Sequence, residues 1–301
     1  MIIKRYDNVT ITNINPPQNG TWESDWDGFS GYYAMNKCHS MTKWSDMKNQ
    51  RHLTHEKGHM TLGEFQKDCF FSTLADIKKE NVNFIELGSG WGRLCLSLAG
   101  AIDNKVIEMI PRSYRCLAVE AEPVHYNWNK KHFDKHDLNG DVVMAAISDK
   151  NGVCRFNVGT KPDEHYGQTV FDVPGFGIKS TLKRIYKRLK SKTIKVPMYT
   201  VDHLIEKYKF AHLDILQMDV QGYEDRAIIG AEESIRNNLI DYIIVGTHKV
   251  PNKDLNDIIR NILIDKYDVV LDIKPREFAK IKGFPTVEMH DGLQLFKSKN
   301  I

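Results

Sequence analysis

No stretch of this 301-residue chain approaches the ~18–20 consecutive apolar residues that a bilayer-spanning helix requires. The first ten residues hold Lys4, Arg5 and Asp7 with no apolar run behind them. No secretory leader is therefore visible, and a cytoplasmic protein is the expectation. Cysteine is sparse: Cys38, Cys69, Cys95, Cys116 and Cys154 are odd in number and form no C-x-x-C pair. That excludes a disulfide framework and reads as reduced thiols. Charge of one sign is lacking too. The net charge of +3 gives no general affinity for polyanions. What remains is an ordinary globular composition, 41% hydrophobic and 27% charged, with enough length to bury a sizeable core.

The richest stretch is Phe84-Ile85-Glu86-Leu87-Gly88-Ser89-Gly90-Trp91-Gly92. An apolar run from Val82 ends on an acid, alternating glycines follow, and Leu94 to Ala99 opens a helical pattern. This is strand, glycine turn, helix: the unit that holds a nucleotide-like ligand at the carboxyl end of a parallel strand. Glycines let backbone N–H groups approach the ligand, and the helix N-terminus adds a positive field. The spacing fails as a dinucleotide fingerprint, because Arg93 stands where its third small residue must pack. A ligand with a cationic amine near Glu86 and a ribose further along suits it better, namely S-adenosylmethionine (SAM).

Further strands and helices alternate to the end of the sequence. Leu62 to Lys79 has apolar residues at three- and four-residue intervals, which predicts an amphipathic helix covering one face of a sheet. Arg115 to Glu120 is a second strand ending on an acid, and Pro123 opens a helix through Phe133. A carboxylate at Glu120 can accept both ribose hydroxyls. Asp141 to Ile147 reads as a third, continuously apolar strand, and Val153 to Val158 as a short antiparallel addition. Leu213 to Val220 brings Asp219 to the same edge as Glu86 and Glu120, before the turn Gln221 to Glu224 and one helix over Ala227 to Ile235. Asp241 to Val245, Tyr267 to Ile273 and Leu293 to Phe296 complete seven strands, with a helix over Leu255 to Ile264. The alternation predicts an α/β fold with a mostly parallel sheet and helices on both faces.

Two regions resist that pattern. Residues 1–80 are expected to form an N-terminal cap beside a main domain at 81–301, and Trp22, Trp26, Tyr32 and Tyr33 could line a pocket. Within the cap, Asn15-Pro16-Pro17-Gln18 echoes a base-methylating signature but ends in Gln, so a turn is the better reading. His55-Glu56-Lys57-Gly58-His59 matches H-E-x-x-H, yet Lys57 and Gly58 spoil the buried helix that a metal site needs, and no metal is expected. The second region is an insert at about 159–196. Its Lys179–Lys195 part holds eight basic residues and no acid, with Leu182, Ile185, Tyr186 and Leu189 as an apolar stripe. A basic amphipathic helix follows: either a solvated face, or a surface for a phosphorylated or lipid-linked acceptor or an anionic membrane.

Over roughly residues 82–250 the chain resembles the FkbM family of SAM-dependent methyltransferases. The resemblance rests on the glycine stretch, Ala118 to Pro123, Ala145-Ala146-Ile147-Ser148-Asp149 with Gly152, and Thr200 to Leu204. It rests above all on Leu216-Gln217-Met218-Asp219-Val220-Gln221-Gly222-Tyr223-Glu224, running on to Ile229-Gly230-Ala231. It implies a Rossmann-like class I methyltransferase sheet in strand order 3-2-1-4-5-7-6 with the last strand antiparallel. It also implies methylation of hydroxyls on sugars, glycans or natural products. The cofactor set is then Glu86 for the methionine amine and Gly88, Ser89, Gly90, Trp91 and Gly92 for its carboxylate. Glu120 would take the ribose, Ala145 and Ala146 would border the adenine, and Asp219 would lie near the methyl group. Asp219 and His248 are the candidate catalytic bases, or else a helix cap and a loop histidine. Gln221 and Gly246 depart from the family pattern and argue against a two-carboxylate metal site.

Three other classes compete, one of them a noncatalytic methyltransferase-like protein that binds another subunit. A nicotinamide-dependent oxidoreductase shares the acid at the second strand's end. A nucleic-acid methyltransferase would use the basic insert, although the rest of the chain is net negative. The expected partner is a small-molecule or glycan acceptor rather than nucleic acid.

Overall fold

The computed structural model describes residues 1, 3–4, 59–103, 113–158, 192–275 and 278–301. Its elements begin with β1 (His59–Thr61), α1 (Leu62–Asp76), β2 (Asn81–Leu87), α2 (Arg93–Asp103), β3 (Ser113–Glu120) and α3 (Pro123–His136). Then come β4 (Gly140–Met144), β5 (Ala146–Ile147), β6 (Gly152–Val158), β7 (Lys192–Tyr199), α4 (Val201–Lys207) and β8 (Leu213–Met218). The chain closes with α5 (Glu224–Ile229), α6 (Glu232–Arg236), β9 (Ile240–Thr247), α7 (Leu255–Leu263), β10 (Tyr267–Ile273), β11 (Phe278–Ala279), β12 (Thr286–Glu288) and β13 (Gly292–Ser298).

Seven strands form the central sheet in the order β10-β13-β9-β8-β2-β3-β4. Neighbours from β9 through β4 are parallel, while β13 runs antiparallel to both β9 and β10. Numbered along the chain within this sheet, that is the expected order 3-2-1-4-5-7-6. The central strands β8 and β9 are buried at every residue, as strands covered on both faces must be. Alternate side chains divide between two apolar layers. Phe84, Ile215, Tyr242 and Ile244 pack with α1, α2 and α3; Ile85, Leu216, Ile243 and Val245 pack with α4 to α7.

The expected helix over Leu62 to Lys79 forms as α1 and ends at Asp76. Its Phe65, Phe70, Phe71 and Leu74 are fully buried in the same layer as the sheet. The Phe70 ring lies 5.9 Å from Phe71 and 5.2 Å from Phe84, so α1 is held by aromatic packing. Below the sheet, Lys79 Nζ reaches Asp214 at 2.8 Å and Asp241 at 2.7 Å, tying the starts of β8 and β9 together.

Three sequence expectations need correction. The run Asp141 to Ile147 is two strands: β4 lies in the main sheet, while β5 leaves it to pair with β7 in a small sheet of order β5-β7-β6. The step falls at Ala145, whose N–H donates to the Glu120 carbonyl at 3.1 Å. The helix over Ala227 to Ile235 is broken into α5 and α6 at Gly230, where a Cβ would come within 2.3 Å of the Ser148 carbonyl oxygen. The basic helix cannot extend to Lys195, because Lys192–Tyr199 is strand β7, paired antiparallel with β6. Residues 159–191 and the cap aromatics Trp22, Trp26, Tyr32 and Tyr33 lie outside the described residues, as do Asn15 to Gln18 and His55 to Gly58. His59 begins a strand, not a helix, and pairs with Thr286. No helix among the described residues is long and apolar enough to cross a membrane.

Truncating Phe70 to Ala removes the ring that joins α1 to β2 and is expected to cost about 3–5 kcal/mol of stability. Denaturant unfolding checks this; a loss below ~1 kcal/mol would mean that α1 is not part of the sheet's core.

Candidate functional site

Strand order reverses at β2, which pairs with β3 on one side and β8 on the other. Open α/β sheets bind ligands in the crevice beyond the carboxyl ends of such strands. The glycine turn sits at this place. Gly88, Gly90 and Gly92 have φ of +70°, +57° and +84°, a region that favours glycine. The turn is also clasped from both neighbouring strands. The Val119 carbonyl accepts from Gly88 N (2.9 Å) and Ser89 N (3.0 Å), and the Leu87 carbonyl accepts from Asp219 N (2.9 Å). A Cβ on Gly88 would lie 2.0 Å from the Asp219 carbonyl oxygen.

The cofactor candidates gather here but do not all face the crevice. Glu86 is 4% exposed, and its carboxylate accepts from Leu94 N (3.1 Å) and Cys95 N (2.9 Å) at the start of α2. The carboxylate assigned to the methionine amine is thus engaged with backbone, fixing the helix behind the turn. Glu120 accepts from Gly90 N at 2.7 Å and from Glu122 N at 2.8 Å, joining the β3 tip to the turn. Burial pushes both Glu86 and Glu120 up to about 7, against the lowering effect of their backbone donors.

Ser89 Oγ accepts from Asn129 Nδ2 at 2.7 Å, and the Asn129 side chain fills the space that a Cβ on Gly92 would enter. Trp91 is buried, edge-on to the His132 ring at 5.8 Å, and its carbonyl meets His132 Nδ1 at 2.7 Å. Its indole belongs to the apolar layer with α3 residues Trp128 and Phe133. Ala145 and Ala146 are buried where the chain steps from β4 to β5, beside the β3 tip.

The second cluster lies one strand over. Asp219 follows β8, and Gln221 (φ +56°) and Gly222 (φ +97°) turn the chain into α5. Glu224, the first residue of α5, is fully buried and accepts from Val220 N (3.2 Å) and Gly222 N (3.1 Å). It also holds His248 Nδ1 at 2.7 Å. His248 follows β9 and directs Nε2 to Asp219 Oδ1 at 3.3 Å and Asp291 Oδ2 at 3.9 Å. Gln221 Nε2 donates to the same Asp219 oxygen at 3.0 Å.

Burial opposes charge on His248, but the Glu224 hydrogen bond and the Asp219, Glu224 and Asp291 charges outweigh it and raise the imidazole to about 9. His248 is therefore an imidazolium at neutral pH, donating Nδ1–H to Glu224 and turning Nε2–H toward the Asp219 and Asp291 carboxylates. Asp219 is raised above the ordinary carboxylate range, first by burial. His248 lowers it, Glu224 and Asp291 raise it, and Arg93 lowers it. Its side chain nevertheless keeps 39% exposure, the route by which an acceptor could reach it.

Two members of this cluster were not identified from sequence as functional. Glu224 stood in the turn motif, and its distance from Asp219 along the chain gave the only signal. Asp291 had none, since its place depends on the antiparallel pairing of β13 with β9. Elsewhere, the three potential metal ligands found together among the described residues are His212, Asp214 and Asp241, at the opposite end of the strands, where Lys79 engages both aspartates and His212 contacts Asp241.

Among curated proteins no sequence matches this chain. Solved structures with related folds include a precorrin-6y C5,15-methyltransferase from Geobacter metallireducens, 10% identical, covering 77% of this chain and 88% of that one at a TM-score of 0.37. An rRNA methylase from Streptococcus thermophilus is 9% identical, covering 75% and 92% at 0.37. Fibrillarin from Aeropyrum pernix, solved with natively bound S-adenosyl-L-methionine, is 11% identical, covering 75% and 73% at 0.35. These likenesses are too distant to bear on chemistry. A family profile, the methyltransferase FkbM domain, matches residues 102–270, which is more than half of the sequence. With that match on a sheet of order 3-2-1-4-5-7-6, the chain belongs to the FkbM methyltransferase family.

Proposed function

We propose that this protein uses S-adenosylmethionine to methylate a hydroxyl oxygen on a sugar, glycan or similar natural-product acceptor. The observation that carries the reading is the Asp219–His248–Glu224 array at the strand tips, with a partly exposed carboxylate held by a fixed imidazolium.

The residues at the switch point fit the cofactor. Glu120 accepts one backbone N–H on each oxygen, and a carboxylate offers about four lone-pair sites, so capacity remains for ribose hydroxyls. The mouth is acidic, with Glu120, Asp219 and Asp291 around it, which suits a cation and disfavours the pyrophosphate of a dinucleotide. Glu86 serves by pinning α2, and Gly88 to Gly92 provide the close-approach turn. When bound, the cofactor would supply an activated methyl group: a lone pair of the hydroxyl oxygen would form the O–C bond, the S–C pair would leave with sulfur, and the O–H pair would stay on oxygen as its proton goes to the base.

The chain's own task is to align the hydroxyl and take its proton. Asp219 is the base in this reading. Its raised affinity for protons brings it nearer to the task than an ordinary carboxylate, and it lies open to an acceptor. His248, already protonated, orients Asp219 rather than acting as base, and buried Glu224 holds the imidazole in place. The hydroxyl proton passes to an Asp219 oxygen, leaving a neutral acid beside the imidazolium.

Two measurements test this reading. A cationic cofactor favours the charged forms of Glu86 and Glu120, so its binding should release protons, most strongly at about pH 6–7.5. Calorimetry in buffers of different ionisation enthalpy would detect the release, and S-adenosylhomocysteine, lacking the sulfonium charge, should release fewer. Heats independent of buffer would contradict it. In the second, Asp219→Asn is expected to lower turnover at least ~100-fold while cofactor binding changes less than ~3-fold. The assay is mass gain of one CH2 unit on candidate sugars and nucleotide sugars; undiminished turnover would remove Asp219 from the chemistry.

A further inference from the structure

His248 presents one Nε2–H to two carboxylates. Asp219 Oδ1 lies at 3.3 Å and Asp291 Oδ2 at 3.9 Å, both beyond the usual 2.7–3.2 Å of a closed N–H···O bond. The second carboxylate is there by construction. Strands β9 and β13 pair antiparallel with Gly292 opposite Thr247, and one step further along that register Asp291 faces His248. Gly292 makes the close approach possible, since a Cβ there would lie 2.2 Å from Thr247 Oγ1 and 2.7 Å from the Ile273 carbonyl oxygen. Gly246 leaves room on the other side: a Cβ would stand 3.5 Å from the Asp219 carboxylate. Asp219 therefore has space beside it, and His248 has a second acceptor within a small movement.

We propose that Asp291 is a positioning residue that shares the His248 Nε2–H and takes it over when Asp219 turns to the acceptor hydroxyl. This rests on the reading of Asp219 as base. Without Asp291, Asp219 would remain the sole carboxylate facing Nε2–H and would have to desert it in order to accept a proton. With Asp291 present, the imidazolium stays paired throughout, because Glu224 retains Nδ1 and Asp291 receives Nε2–H. The proton count does not change at His248: one proton leaves the hydroxyl and one arrives on Asp219.

The groups facing this exchange come from every element packed around it. Glu224 opens α5, Asp219 follows β8, Asp291 precedes β13, and the Arg93 charge at the start of α2 reaches Asp219. Of these, Asp291 is 43% exposed, so it can be changed without opening the core.

The test replaces Asp291 by Asn and, separately, by Ser and Glu. Nitrogen-15 NMR of the His248 ring reads the effect without any turnover. Asp291→Asn and Asp291→Ser should each lower the His248 titration midpoint by about 0.5–1 pH unit, because an opposite charge has gone. In the methyl-transfer assay kcat should fall about three- to tenfold with KM for acceptor and cofactor unchanged, and Asp291→Glu should recover most of it. An unshifted His248 midpoint in both neutral variants overturns the proposal, as does a wild-type kcat in either. If no acceptor is turned over even by wild type, the hydroxyl-methylation reading fails. The NMR shift then still decides whether Asp291 governs His248.

Discussion

Everything at the crevice depends on one contact, the approach of the β8 tip to the first glycine of the turn. The Asp219 carbonyl stands where a Cβ on Gly88 would be, and the Asp219 N–H is bound to the Leu87 carbonyl. Any side chain at position 88 would push the two strand ends apart. Because that space is empty, Asp219 and the glycine turn share a single backbone junction. The Val119 carbonyl does the same for β3, receiving two N–H groups of the turn. Three parallel strands are thereby locked at their carboxyl ends, and a shift in one tip is felt by the others.

The site's electrostatics follow from how far each acid is withdrawn from water. Glu86 and Glu120 lie under the turn, and burial outweighs their backbone donors. Glu224 is more deeply buried still, and its carboxylate meets the His248 ring and two backbone N–H groups, so its oxygens are not left without partners. Asp219 occupies the boundary, half turned to solvent and half to His248. Similar side chains thus sit in different settings, distinguished by depth and partners alone.

The sequence was most legible where periodicity and local chemistry agree. Runs such as Ile240–Thr247 and Leu213–Met218 are apolar enough to be fully covered strands, and glycines 88, 90 and 92 announce a turn that only they can make. Reading failed where long-range contact decides. The residues Asp141 to Ile147 look like one strand, but Ala145 donates its N–H to Glu120 and redirects the chain. Ala227 to Ile235 looks like one helix, but the Ser148 carbonyl presses against Gly230. Glu86 stands near the end of β2, but the direction of its side chain depended on where the α2 N-terminus would lie. Asp291 could be found only once the β13 register was known.

The β6–β7 ribbon has a consequence of another kind. Its legs pair from Gly152 opposite Met198 out to Val158 opposite Lys192, so the chain leaves and re-enters the ribbon at neighbouring points. Whatever joins those points is closed at its base, and lengthening a flexible connection costs only about 0.6 kcal/mol per doubling. The segment between 158 and 192 can therefore be exchanged or resized while the strands beneath keep their register.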